Sequence, residues 1–81
     1  MNLLHMQEEL LGELAAVLGY DVGLDDALLV EGGLDSFGIL QMVTYLEERY
    51  GIRIPDENLA TASFTSARII SDWVVLLGRA L

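Results

Sequence analysis

Apolar positions along the chain fall into three helical stretches separated by irregular ones. Over Leu3–Leu18, the residues Leu3, Leu4, Leu10, Leu11, Leu14, Val17 and Leu18 recur at helical spacing and share one broad face, with Glu8, Glu9 and Glu13 on the rest of the circumference. Gly19 follows at once and marks the stop, because glycine accepts the left-handed conformation that closes a helix. A second helix is predicted over Ser36–Tyr50, with Ile39, Met42, Val43, Leu46 and Tyr50 as its core stripe. Asp35 is its N-cap, Leu34 and Ile39 stand at the two positions of a hydrophobic staple, and Gly51 ends it. A last helix is capped by Thr65 or Ser66 and sets Ile70, Trp73, Val74, Leu77 and Leu81 on one face.

Between the first two helices, residues 20–34 lose all periodicity, and Gly23, Asp25, Asp26, Gly32 and Gly33 supply turn chemistry. A connection this long in so small a chain is either functional or disordered. Leu24, Leu28, Leu29 and Val30 argue for a loop that packs down onto the core. Ile52, Arg53 and Ile54 form a short extended stretch ahead of Pro55, too brief to make a sheet alone. Pro55 then opens a short helical turn over 56–60. The expected fold is all-α: a four-helix bundle of three main helices plus one short helix, with a long first loop, in a single domain over residues 1–81.

Composition narrows the function. Thirteen acids face four bases, all arginine, for a net charge of -9, which argues against a phosphate-binding nucleic-acid surface. Cysteine is absent, so there is no disulfide and no thiolate metal site. A lone histidine, His5, excludes multi-His metal sites and leaves a His-dependent triad without support. Asp21, Asp25 and Asp26 do not meet the spacing of a calcium-binding loop. The apolar run 73–77 is too short to span a bilayer, and the N-terminus lacks the basic segment of a targeting signal. An 81-residue chain also has little to spare for walling in an active site. These bounds favour a soluble, cytoplasmic, monomeric partner-binding module over an enzyme.

The unusual chemistry gathers at Gly32, Gly33, Leu34, Asp35, Ser36 and Phe37, where a serine opens a helix just past two glycines. A helix's first turn exposes unpaired N–H groups and the positive end of its dipole, so a phosphodiester on the Ser36 hydroxyl would be favoured there. The two glycines are expected to keep the approach open to a partner's backbone. Ser36 as nucleophile is the weaker reading: Leu34 stands where the G-x-S-x-G elbow needs glycine, Gly38 falls in place, and no histidine is near in sequence.

Gly33-Leu34-Asp35-Ser36-Phe37 resembles the Gly-x-Asp-Ser-Leu modification motif of acyl carrier and peptidyl carrier proteins. The resemblance extends over Leu46 and Glu47 to Tyr50, over Gly51, Ile52, Ile54, Pro55, Asp56 and Leu59, and over Phe64, Thr65, Ser66 and Ala67, covering nearly the whole chain. It implies that Ser36 carries 4′-phosphopantetheine, transferred from coenzyme A by a phosphopantetheinyl transferase, with a substrate held as a thioester on the arm's thiol. It also implies that Asp35, Phe37, Leu40, Gln41, Thr44, Glu47 and Glu48 form a recognition face for the transferase and for enzymes that load and unload the acyl or aminoacyl group. Carriers of fatty-acid synthesis tend to be acidic early in this helix. Here Gly38 and Gln41 stand at the comparable positions and Phe37 replaces leucine, so the expectation is a discrete carrier in a specialised, polyketide-type or related secondary-metabolite pathway. An aminoacyl or peptidyl carrier, of nonribosomal-peptide or D-alanyl-carrier type, is the alternative. An unmodified helical interaction module is the remote one.

Overall fold

The computed structural model describes residues 2–29, 32–54 and 64–80. Three helices account for most of them: α1 (Leu3–Leu18), α2 (Ser36–Tyr50) and α3 (Ala67–Ala80). No strand occurs among the described residues, and Ile52 to Ile54 are irregular backbone. The short helix expected over 56–60, Val30 of the first loop and Leu81 of the last stripe lie outside the described residues.

Each boundary has a local cause. Asn2 caps α1, its Oδ1 accepting from the Leu4 and His5 N–H groups at 3.0 and 3.3 Å. Gly19 and Gly51 close α1 and α2 in the left-handed region, at φ 84° and 65°, and each donates its N–H back to the helix, to Ala15 and Glu47. Ser66, not Thr65, caps α3: the Ile69 N–H donates to its Oγ at 3.3 Å. Ser66 sits immediately before the first helical residue, where a hydroxyl can turn onto the third N–H.

The core joins Met6, Leu10 and Leu14 of α1, Met42 and Leu46 of α2, and Ala67, Ile70 and Val74 of α3, with Leu28, Leu34, Ile52 and Phe64 sealing it from the connections. Trp73 is half-buried and meets Phe64 edge to face at 6.2 Å. One expectation for α1 is corrected. Leu3 and Leu4 are 44% and 69% exposed, and Met6 and Gln7 are buried in their place. With about 100° per residue, Leu10 and Leu14 project back onto Met6 and Gln7, whereas Leu4 lies a quarter-turn off the stripe and Leu3 sits in the helix's end turn. Gln7 is accommodated by a polar contact across the core, its Nε2 donating to Ser71 Oγ at 3.3 Å while that hydroxyl donates to the Arg68 carbonyl at 2.8 Å.

α1 and α2 run antiparallel. At one end Arg49 and Tyr50 of α2 reach Glu9, at 2.8 and 3.1 Å, and at the other Gly38 abuts Val17. Arg49 holds the Glu9 carboxyl below its ordinary range, aided by the Tyr50 hydroxyl. Burial, with Tyr45 and Glu9 beside it, pushes the Tyr50 phenol up. Beside this pair a groove of about 360 Å³ lies between the start of α1 and the end of α2, lined by Asn2, His5, Met6, Glu9, Arg49 and Tyr50.

The first loop packs down as expected: Leu28 and Leu34 are buried and Val22, Leu24 and Leu29 half-buried. It is tied to the start of α3 by Leu28 N–H to Thr65 O at 3.0 Å, by Arg68 N–H to Leu24 O at 2.9 Å, and by a two-pronged Arg68–Asp25 ion pair at 2.7 and 3.1 Å.

Candidate functional site

Ser36 is the first residue of α2 and is exposed. The backbone ahead of it is fixed by Asp35, extended at φ -95° and ψ -177°, whose Oδ1 accepts from the Gly38 N–H at 2.8 Å while its carbonyl accepts from Ile39 at 2.9 Å. Leu34, one residue before the cap, is buried at 5% and anchors the turn to the core. The result is a hydroxyl in water at the positive end of a 15-residue helix, on a backbone held at both sides. Asp35 already takes one N–H of the first turn, so an anion on Ser36 would share the helix end with a carboxylate rather than own it.

The two glycines do different work from the expected open approach. Gly33 is exposed and adopts φ 83°, a left-handed turn open to glycine at little cost. Gly32 is buried against its own chain: a Cβ there would lie 2.6 Å from Leu28 Cα and closer still to the Ala27 carbonyl oxygen. Its bareness lets two stretches of the same loop stack, and it offers nothing to a partner.

The face flanking Ser36 is mostly as read from the sequence. Phe37 and Leu40 are 68% and 56% exposed, and Gln41, Thr44 and Glu48 are also exposed. Two residues depart. Gly38 is buried, with the positions around it filled by Leu34 and Val17, so it contributes no neutral patch to this face. Glu47 is half-buried and its Oε2 accepts from the Ile54 N–H at 2.8 Å, which stitches the end of α2 to the segment after it. Of the three acids on this face, Asp35 caps the helix while exposed, Glu47 holds a backbone amide, and Glu48 is exposed.

The structure sets the chain's one histidine far from Ser36. The chain's one histidine, His5, lies in the first turn of α1, about 18 Å of helix rise from Val17, which marks the Ser36 end of the molecule. The groove beside Glu9 and Arg49 is likewise at the opposite end of α2 from the serine. Among the described residues no cluster of acids or histidines is placed to hold a metal ion, and Asp25 and Asp26 are engaged with Arg68 and the Gly23 N–H. No helix among them is long and apolar enough to cross a membrane.

Comparison with known proteins gives this geometry a context. Residues 8–74 match the family described as "Phosphopantetheine attachment site". The chain is 39% identical over 57 residues to an aminoacyl carrier protein of Agrobacterium fabrum, covering 70% of this chain and 69% of that protein. It is 29% identical over 63 residues to an acyl carrier protein of Rhodococcus erythropolis, with 69% of each covered.

Proposed function

The chain belongs to the phosphopantetheine-bearing family of acyl and aminoacyl carrier proteins, and from that premise we propose that Ser36 is the residue to which its 4′-phosphopantetheine is attached. The supporting observation is the exposed Ser36 hydroxyl at the first position of α2, on a turn pinned by Asp35 and Leu34, at a helix end that favours an attached anion. The arm, when attached, supplies a thiol to a chain that has no cysteine of its own. The residues here position and present; they move no proton and break no bond.

The domain then serves as a substrate of enzymes, holding an acyl or aminoacyl group as a thioester and raising its effective concentration at each partner. The partners are a phosphopantetheinyl transferase and the loading and transferring enzymes of a specialised, polyketide-type or related secondary-metabolite pathway. They meet the face of Asp35, Phe37, Leu40, Gln41, Thr44 and Glu48, with Glu47 at its rim. That this face is largely apolar and neutral at its serine end supports the specialised reading over a fatty-acid carrier. An aminoacyl cargo is the second reading, and the 39% identity to an aminoacyl carrier favours it. The proposal also makes the protein a monomer of the cytoplasm.

Intact-mass measurement tests the attachment. Incubated with coenzyme A and a broad-specificity phosphopantetheinyl transferase, the protein is expected to gain one phosphopantetheinyl unit, and Ser36→Ala none. No gain, in a reaction that modifies a control carrier, would leave the unmodified interaction module as the reading.

A further inference from the structure

Ser36 is reached through a turn that the chain closes on itself, and a side chain from outside the turn is fastened to it. The Gly33 N–H donates to Leu29 O at 2.9 Å and the Leu34 N–H to Leu28 O at 2.8 Å. The inner corner is Gly32, pressed against the backbone of Ala27 and Leu28 with no room for a Cβ. Tyr20, just past the end of α1, donates its hydroxyl to the Gly32 carbonyl. The Tyr20 residue is 47% exposed, so burial of its ring does not account for the placement; the phenol's hydrogen bond does. On the far side of Ser36, the last turn of α1 touches the chain again, with Val17 Cγ1 3.3 Å from where a Cβ on Gly38 would stand. The end of α1 and the residue just past it therefore brace the chain two residues after Ser36 and four residues before it.

We propose that Tyr20 is a positioning residue for phosphopantetheinyl transfer, holding Gly32, Gly33 and Leu34 in the arrangement that presents the Ser36 hydroxyl. The inference rests on Ser36 being the attachment residue. A transferase has to meet the hydroxyl, Asp35 and Phe37 in one mutual geometry. Without the phenol's bond, Gly32, Gly33 and Leu34 would spend more time in other arrangements. Only the competent fraction binds, so apparent affinity falls by that fraction, while the bound complex reacts as before.

Tyr20→Phe isolates the effect because the ring is kept. For the variant as acceptor, the transferase KM is expected to rise about 2- to 10-fold with kcat unchanged within about twofold. Amide exchange at Gly33 and Leu34, whose N–H groups close the turn, should quicken, while exchange at Leu46 and Ile70 in the core stays as it was. An unchanged KM overturns the proposal. So does equal quickening at Leu46 and Ile70, which would make Tyr20 a contributor to global stability only. Failure of the unaltered protein to accept the arm shows up before any variant is compared; it removes the Ser36 assignment and this inference with it.

Discussion

Glu47 and Glu48 are neighbours in sequence with separate tasks. Glu47 satisfies the Ile54 N–H, a half-buried donor that has no intrahelical partner beyond the end of α2. Glu48 points to water. Glu47→Ala is therefore expected to cost about 1–2 kcal/mol in urea unfolding, the penalty of stranding a backbone donor. Glu48→Lys should stay within about 0.5 kcal/mol of the parent. Its effect belongs to encounter instead: loading by the transferase should slow at low salt and converge with the parent as ionic strength rises, since a rim charge acts mainly on the association rate. Equal loading rates at low salt would take Glu48 off the recognition face. The sequence alone treats the two acids alike, because helical angle places both away from the core; that one of them reaches a following amide depends on where the chain turns after Gly51.

Among the elements, what was legible was whatever chemistry is local. Asp35 before Ser36, and Gly19 and Gly51 after α1 and α2, are end signals written in single residues, and the structure uses each of them. What could not be read was set by how separate stretches pack together. Gln7 looks like a surface residue until Ser71, 64 positions away, supplies a hydroxyl for its amide. Gly32 looks like freedom for a partner's approach until Ala27 and Leu28 are seen filling the space, and Gly38 like part of a neutral face until Leu34 and Val17 close over it. The same contrast separates two alanine substitutions. At Gly32 the new methyl meets backbone, which cannot yield without moving the loop, and a loss of about 2–3 kcal/mol is expected. At Gly38 it meets side-chain ends, Leu34 Cδ1 at 2.8 Å and Val17 Cγ1 at 3.3 Å, which can shift, and alanine in a helix gains about 1 kcal/mol over glycine. Gly38→Ala should therefore fall within about 1 kcal/mol of the parent by thermal unfolding. A larger loss there than at Gly32 would mean that the α1–α2 junction, not the loop corner, is the tighter packing.

At the scale of the molecule, charge decides how the fold responds to solution conditions. Thirteen acids face four arginines, so even complete pairing would leave most carboxylates repelling one another at neutral pH. Two described carboxylates pull the other way. Glu9 is held low by the hydrogen bond from Arg49, and Asp25 by that from Arg68, from ordinary values of 4.5 and 3.8. A depressed folded pKa means stability that is present above the unfolded value and lost as pH falls through the lower, folded one. Acidification from neutrality therefore removes repulsion while both pairs still contribute, and their contribution fades as pH falls on through the carboxylate range. The expected Tm profile rises as pH is lowered from about 7.5 to about 5 and falls again under about pH 4. Salt should imitate the first limb only: at about pH 7.5 added sodium chloride screens a net repulsion and raises Tm, whereas near the pI it screens little and Tm stays flat. A Tm at neutral pH that ignores salt would mean the unpaired acids lie too far apart to oppose folding.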